Sequence, residues 1–222
     1  SDNVVSPLAS STGSAVIATS SSPFITACCT VRPPNSVPEQ DQAWHAGVSF
    51  WRGATRLNDT SIGIELENRG WRMSGGVKSF APFESAQIQA LIPLAKDIIA
   101  RYDIKPQNVV AHADIAPQRK DDPGPRFPWR ELAAQGIGAW PDAQRVAFYL
   151  AGRAPYTPVD TATVLALLSR YGYEVKADMT AREQQRVIMA FQMHFRPAQW
   201  NGIADAETQA IAEALLEKYG QD

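Results

Sequence analysis

The densest chemistry in the chain lies in AHADIAPQRKDDPGPRFPW at 111–129, where His112 and Asp122 stand ten residues apart. An imidazole at a strand end and a carboxylate stiffened by the following Pro-Gly-Pro are donors suited to holding one small cation. Taken alone, such a histidine is more often simply hydrogen-bonded. Lys120, two positions before Asp122, would face the same way on an extended segment. It could stabilise a developing oxyanion or pair with Asp121 or Asp122. Glu65 lies in SIGIELEN at 61–68, where Ile62 and Ile64 share one face of a strand and the carboxylate falls on the other. Desolvation there would raise its pKa toward that of a general base. Glu67 follows the same alternation, so periodicity does not choose between the two. Imidazole chemistry has only His45, His112 and His194 to draw on.

A second cluster is Trp44, His45, Ala46 and Gly47, with Trp51 and Asn58 downstream. An indole and an imidazole ahead of a glycine suit a sugar or peptide, because indole stacks on the apolar face of a sugar. A partly buried structural tryptophan is the alternative.

These residues need elements to position them. The segment 61–68 predicts one strand and NVVAH at 108–112 a second, ending on His112. Between them Ile88, Leu91, Ile92, Ala95, Ile98, Ile99 and Tyr102 recur at helical spacing, predicting a helix over 84–102 that Pro93 kinks or makes irregular. Strand, helix, strand implies an α/β layer with the strand ends lining one site. Shorter helical patterns follow near 129–135 and 142–151. Residues 1–30, with Ser-rich composition through residue 22, read as an irregular tail, although FITACCTV is β-prone. GRAPYTP at 152–158 reads as a linker. Beyond it, 159–222 reads as three compact helices. Gly172 closes the first, a Thr180–Glu183 capping box opens the second, and Asp205 caps the third.

Composition narrows the function. With 21 Lys and Arg against 23 Asp and Glu there is no basic field for nucleic acid. No apolar stretch is long enough to span a membrane. Cys28 and Cys29 are adjacent and make no ordinary bridge.

AWHAG at 43–47, LNDTSIGIELEN at 57–68 and the 111–129 stretch together resemble the zinc-dependent N-acetylmuramoyl-L-alanine amidases of the AmiD and AmpD type. GYEV near 172, AFQMHFRP at 190–197 and NGIADAETQAI at 201–211 resemble a three-helix peptidoglycan-binding domain. The resemblance implies an amidase-type mixed sheet flanked by helices over 31–151, followed by the small helical domain. It puts His112 and Asp122 on two zinc ligands, Glu65 on the catalytic carboxylate and Lys120 on the basic residue beside the metal. Trp44, His45 and Asn58 fall at the substrate cleft. It further implies peptidoglycan or muropeptides as partner and a periplasmic, cell-envelope location, with room for a lipid anchor upstream. The family's first zinc ligand, a histidine from an early strand, has no counterpart, since no His precedes His45. Cys28, Cys29 or His45 could substitute. A protein that only binds muropeptides is the alternative to an enzyme.

Overall fold

A computed structural model describes residues 13–18, 25–28, 44–66 and 68–220. The central sheet has four strands: β1 (Gly13–Ala18), β2 (Ile25–Cys28), β5 (Ser61–Leu66) and β8 (Val109–Ala111), in the order β2-β5-β1-β8. Two small hairpins lie outside it, β3 (Phe50–Trp51) with β4 (Ala54–Thr55), and β6 (Trp71–Ser74) with β7 (Val77–Phe80). β1 runs antiparallel to both β5 and β8, so those two are parallel to each other and end on the same side. Ser14 pairs with Glu65 on one flank of β1 and Ala15 with Ala111 on the other. Two strand spacings of about 4.8 Å therefore separate the strands that carry Glu65 and lead into His112. The carboxyl ends of parallel strands are where sheets of this kind build sites.

The tail expected over 1–30 is corrected here, because its apolar patch at 15–18 forms a strand. Its backbone fills the slot between β5 and β8, where it satisfies ladder groups on both neighbours.

Helix α1 (Ser85–Tyr102) crosses between β7 and β8 and buries Leu91, Ala95 and Ile98. It continues through Pro93, which forfeits one backbone bond without ending the helix. His112 opens a single turn, α2 (His112–Ile115), where the sequence had it close the strand. After the Pro-rich loop come α3 (Trp129–Ala134) and α4 (Ala143–Leu150).

The last three helices are α5 (Thr161–Tyr171), α6 (Ala181–Phe195) and α7 (Ala206–Tyr219). Each begins as the sequence predicts: the Asp160 carboxylate accepts from the Thr163 amide, Thr180 and Glu183 form a reciprocal box, and Asp205 accepts from Thr208. A fully buried Gln192 ties α6 to Gly202, Ile203 and Thr208. Arg196 and Asp205 form a buried, two-pronged ion pair.

These helices share one continuous apolar core with the sheet region. Trp51 of β3 meets Tyr171 and Tyr173 edge-on at ring separations of 5.8 and 5.0 Å. Beside it the Arg52 amide donates to the Gly172 carbonyl at 2.9 Å. Gly172 has φ +151°, and a Cβ there would come within 2.6 Å of the Arg52 side chain and 3.0 Å of the Trp51 ring. Gly172→Ala is therefore expected to cost about 1–3 kcal/mol through overpacking of this seam. Urea denaturation measures it, and a loss under about 0.5 kcal/mol would show the seam to be loose.

Candidate active site

His112 is buried at the sheet's end and both ring nitrogens have partners. Nε2 lies 2.7 Å from the His45 carbonyl oxygen and Nδ1 lies 2.9 Å from Asp122 Oδ2. A carbonyl can only accept, so Nε2 carries the hydrogen. In the neutral ring Nδ1 then presents a lone pair to a carboxylate oxygen. Two acceptors at that distance repel unless a proton or a metal cation lies between them. The Asp122 backbone is held in place as well, its carbonyl accepting from the Ala113 amide at 3.0 Å.

Glu65 stands in the same field. Enclosure by the protein raises its pKa above the usual carboxylate value, and Asp122 raises it further, while the positive charge available to His112 and Lys120 lowers it. Its side chain nonetheless keeps an open edge toward solvent. The four residues Glu65, His112, Lys120 and Asp122 are thus brought together. Lys120 makes no ion pair among the described residues, and its neighbour Asp121 is taken by Lys78 at 2.5 Å and Arg186 at 3.1 Å. Glu67, the alternative to Glu65, lies outside the described residues, as does Cys29.

The loop at 44–48 forms one lip of the site. Asn58 Oδ1 accepts from the amides of His45 and Ala46 at 3.1 and 2.7 Å, which fixes the loop's shape. The Ser61 hydroxyl gives its hydrogen to the Leu57 carbonyl, so the His45 ring donates to Ser61 from Nε2. This turns the imidazole of His45 toward Ser61 while its carbonyl faces His112. Trp44, 87% exposed, presents its indole to solvent at the lip.

Two positioning residues escaped the sequence reading. Arg119 reaches across to the carbonyls of Ala46 and Val48 at 2.9 and 2.8 Å, strapping the lip to the 112–122 loop. Asp114 is completely buried, its carboxylate accepting from the Ala111 amide, His194 Nδ1 and the Tyr173 hydroxyl at 2.8, 2.7 and 2.5 Å. The signal was present: an acid flanked by Ala, Ile and Ala has to be paired if it is buried. Among the described residues, no three His, Cys, Asp or Glu side chains converge on one metal position.

The family model described as N-acetylmuramoyl-L-alanine amidase matches residues 24–125. The chain is 84% identical over 186 residues to N-acetylmuramoyl-L-alanine amidase AmiD of Escherichia coli, a match covering 84% of this chain and 67% of that protein. It is 43% identical over 98 residues to 1,6-anhydro-N-acetylmuramyl-L-alanine amidase AmpD of Enterobacter cloacae, covering 44% of this chain and about half of that relative, 48%. The E. coli AmiD structure, solved with anhydro-N-acetylmuramic acid-L-Ala-D-gamma-Glu-L-Lys, superposes at TM-score 0.83 with 84% identity, covering 84% of this chain and 73% of that one. AmpDh3 of Pseudomonas aeruginosa superposes at TM-score 0.76 with 46% identity, covering 83% and 72%.

The neighbours of Glu65 set the sign of a titration. In the metal-free protein, carboxyl carbon NMR should place the Glu65 midpoint above 4.5. Lys120→Met should move it further up by removing a positive charge, and Asp122→Asn should move it down by removing a negative one. Shifts of the opposite sign would mean that these groups do not share a field.

Proposed function

Because the chain belongs to the N-acetylmuramoyl-L-alanine amidase family, we propose that it hydrolyses the amide bond between N-acetylmuramic acid and L-alanine in peptidoglycan or muropeptides. The observation that carries this reading to the chain's own residues is the opposed pair His112 Nδ1 and Asp122 Oδ2, 2.9 Å apart. That separation is close to the roughly 3.3 Å between neighbouring donors around a tetrahedral zinc with bonds of about 2.0 Å. The bond from His112 Nε2 to a backbone carbonyl is the usual support that orients a ligating imidazole. These two side chains therefore fit zinc, and they would hold it. A third donor has three candidates: Cys28, whose backbone stands opposite Glu65 in β2; Cys29; and His45, on rotation away from Ser61. When bound, zinc lowers the pKa of a coordinated water and polarises a carbonyl.

The chain's residues then share the remaining work. Glu65, with its raised pKa, accepts a proton from the attacking water as oxygen adds to the lactyl carbonyl carbon. The Lys120 ammonium, which makes no ion pair among the described residues, offsets charge on the tetrahedral oxyanion. As the carbon–nitrogen bond breaks, Glu65 returns its proton to the L-alanine nitrogen. Trp44 offers its indole to the sugar, with His45 and Asn58 shaping the lip around it. Residues 159–222 bind the polymer, and the substrate places the reaction in the cell envelope.

Purified sacculi incubated with the protein and zinc should release stem peptides that begin with free L-alanine, identified by mass spectrometry. Glu65→Gln should lower kcat by about 10²–10⁴. Absence of such peptides from the unaltered protein would overturn the reading. The sequence, with no His before His45 to serve as the family's first zinc ligand, keeps a second reading, a muropeptide-binding protein without catalysis. Elemental analysis after dialysis separates them: one retained zinc per chain supports the enzyme, and none supports the binder.

A further inference from the structure

The loop that carries His112, Lys120 and Asp122 has little regular structure between the end of α2 and the start of α3. It is held from outside, by the C-terminal helices. At one end, His194 of α6 and Tyr173 after α5 donate to the buried Asp114, which in turn accepts from the amide just before His112. His194 is itself fixed, its ring stacked between Trp129 and Phe195 at 3.9 Å from each. Near the other end, Arg186 of α6 donates from Nε to the Pro117 carbonyl at 2.9 Å and from Nη2 to Asp121 at 3.1 Å. Asp121 sits between Lys120 and Asp122. Gln118 adds a bond to the Glu183 carbonyl at 2.9 Å. Glu183, Arg186 and His194 lie along one side of α6, at intervals of three and eight residues. The contacts of α6 therefore run along the chain from Asp114 to Asp121.

We propose that Arg186, His194 and Tyr173 are positioning residues for the reaction above, setting the approach of His112 to Asp122. The inference rests on the zinc amidase reading for its link to catalysis. Ordering a loop costs backbone entropy at every residue, so a loop held only by its own short contacts would spread over many conformations. Clamps at Asp114 and Asp121, which lie between the two donors in the chain and close to each, remove that freedom. On this proposal the C-terminal helices are a wall of the active site.

Arg186 is the residue to vary, because its partly exposed side chain can be lost without leaving a buried charge unpaired, whereas changes at Asp114 threaten folding. The Ala113 amide, bonded to the Asp122 carbonyl, reports loop closure without any metal. In the metal-free full chain, Arg186→Gln should speed hydrogen exchange at Ala113 by about tenfold or more. It should weaken zinc binding, measured by chelator competition, by about tenfold and lower kcat with KM nearly unchanged. Arg186→Lys should recover part of each effect. If exchange at Ala113 and zinc affinity stay within about twofold of the unaltered protein while only the melting temperature falls, the proposal is wrong. If the unaltered protein neither retains zinc nor releases peptide, the amidase reading fails, and exchange at Ala113 still decides whether α6 positions the loop.

Discussion

Asp114 has none of its surface in water, and a carboxylate in that position has to find its donors inside the protein. It finds them in three parts of the chain: the Ala111 amide in β8, the Tyr173 hydroxyl beyond α5, and His194 near the end of α6. Removing any one would strand part of a buried charge, so the strand end, the turn that begins at His112 and the C-terminal helices are held to one arrangement. Burial and the adjacent carboxylate push the Tyr173 hydroxyl far above its ordinary pKa, which keeps it a donor at any physiological pH. The rest of the site hangs from this junction. His112 follows Ala111 directly, and its ring is aimed by where that backbone is fixed.

From there the chemistry is set by hydrogen-bond direction. The His45 carbonyl requires a hydrogen on Nε2 of His112, and the other ring nitrogen is thereby turned on Asp122. A site built this way calls for positive charge between the two. Burial first, and Asp122 after it, discourage ionisation of Glu65 against the opposing pull of His112 and Lys120, so a group that binds a proton lies beside a place suited to a metal. Lys120 makes no ion pair among the described residues, and its neighbour Asp121 is committed to Lys78 and Arg186.

Periodicity sufficed to read β5, α1 and the three C-terminal helices with their caps from the sequence, because those features are local. His112, Asp122, Glu65 and Lys120 were legible by type and spacing, and the fold does bring them together. What stayed hidden depends on contacts between distant residues. β1 has no strand signature beyond a few apolar residues and gains its place by pairing on both edges. Arg119 and Asp114 read as ordinary charges in a charged loop, and only the approach of residues 46–48, 173 and 194 gives them roles. His194, which the sequence assigned to the terminal module alone, turns out to act across to the sheet domain.

That last contact changes how the terminal helices should be understood. A wall-binding module on a free tether raises local substrate concentration by an amount set by linker length, and it tolerates many relative orientations. Here the segment at 152–158 is pinned. The Thr157 carbonyl accepts from the Ala206 amide and the Pro155 carbonyl from Glu207, while Arg145 of α4 grips Glu217 of α7 with two bonds of 2.7 Å. A shared core and a buried hydrogen bond between His194 and Asp114 across the junction make independent reorientation costly. If residues 159–222 grip the polymer, the strand they grip has one fixed relation to Glu65 and His112. Reach along the polymer is then exchanged for register, and the chain would select the amide bonds that lie at a set distance and angle from the gripped segment.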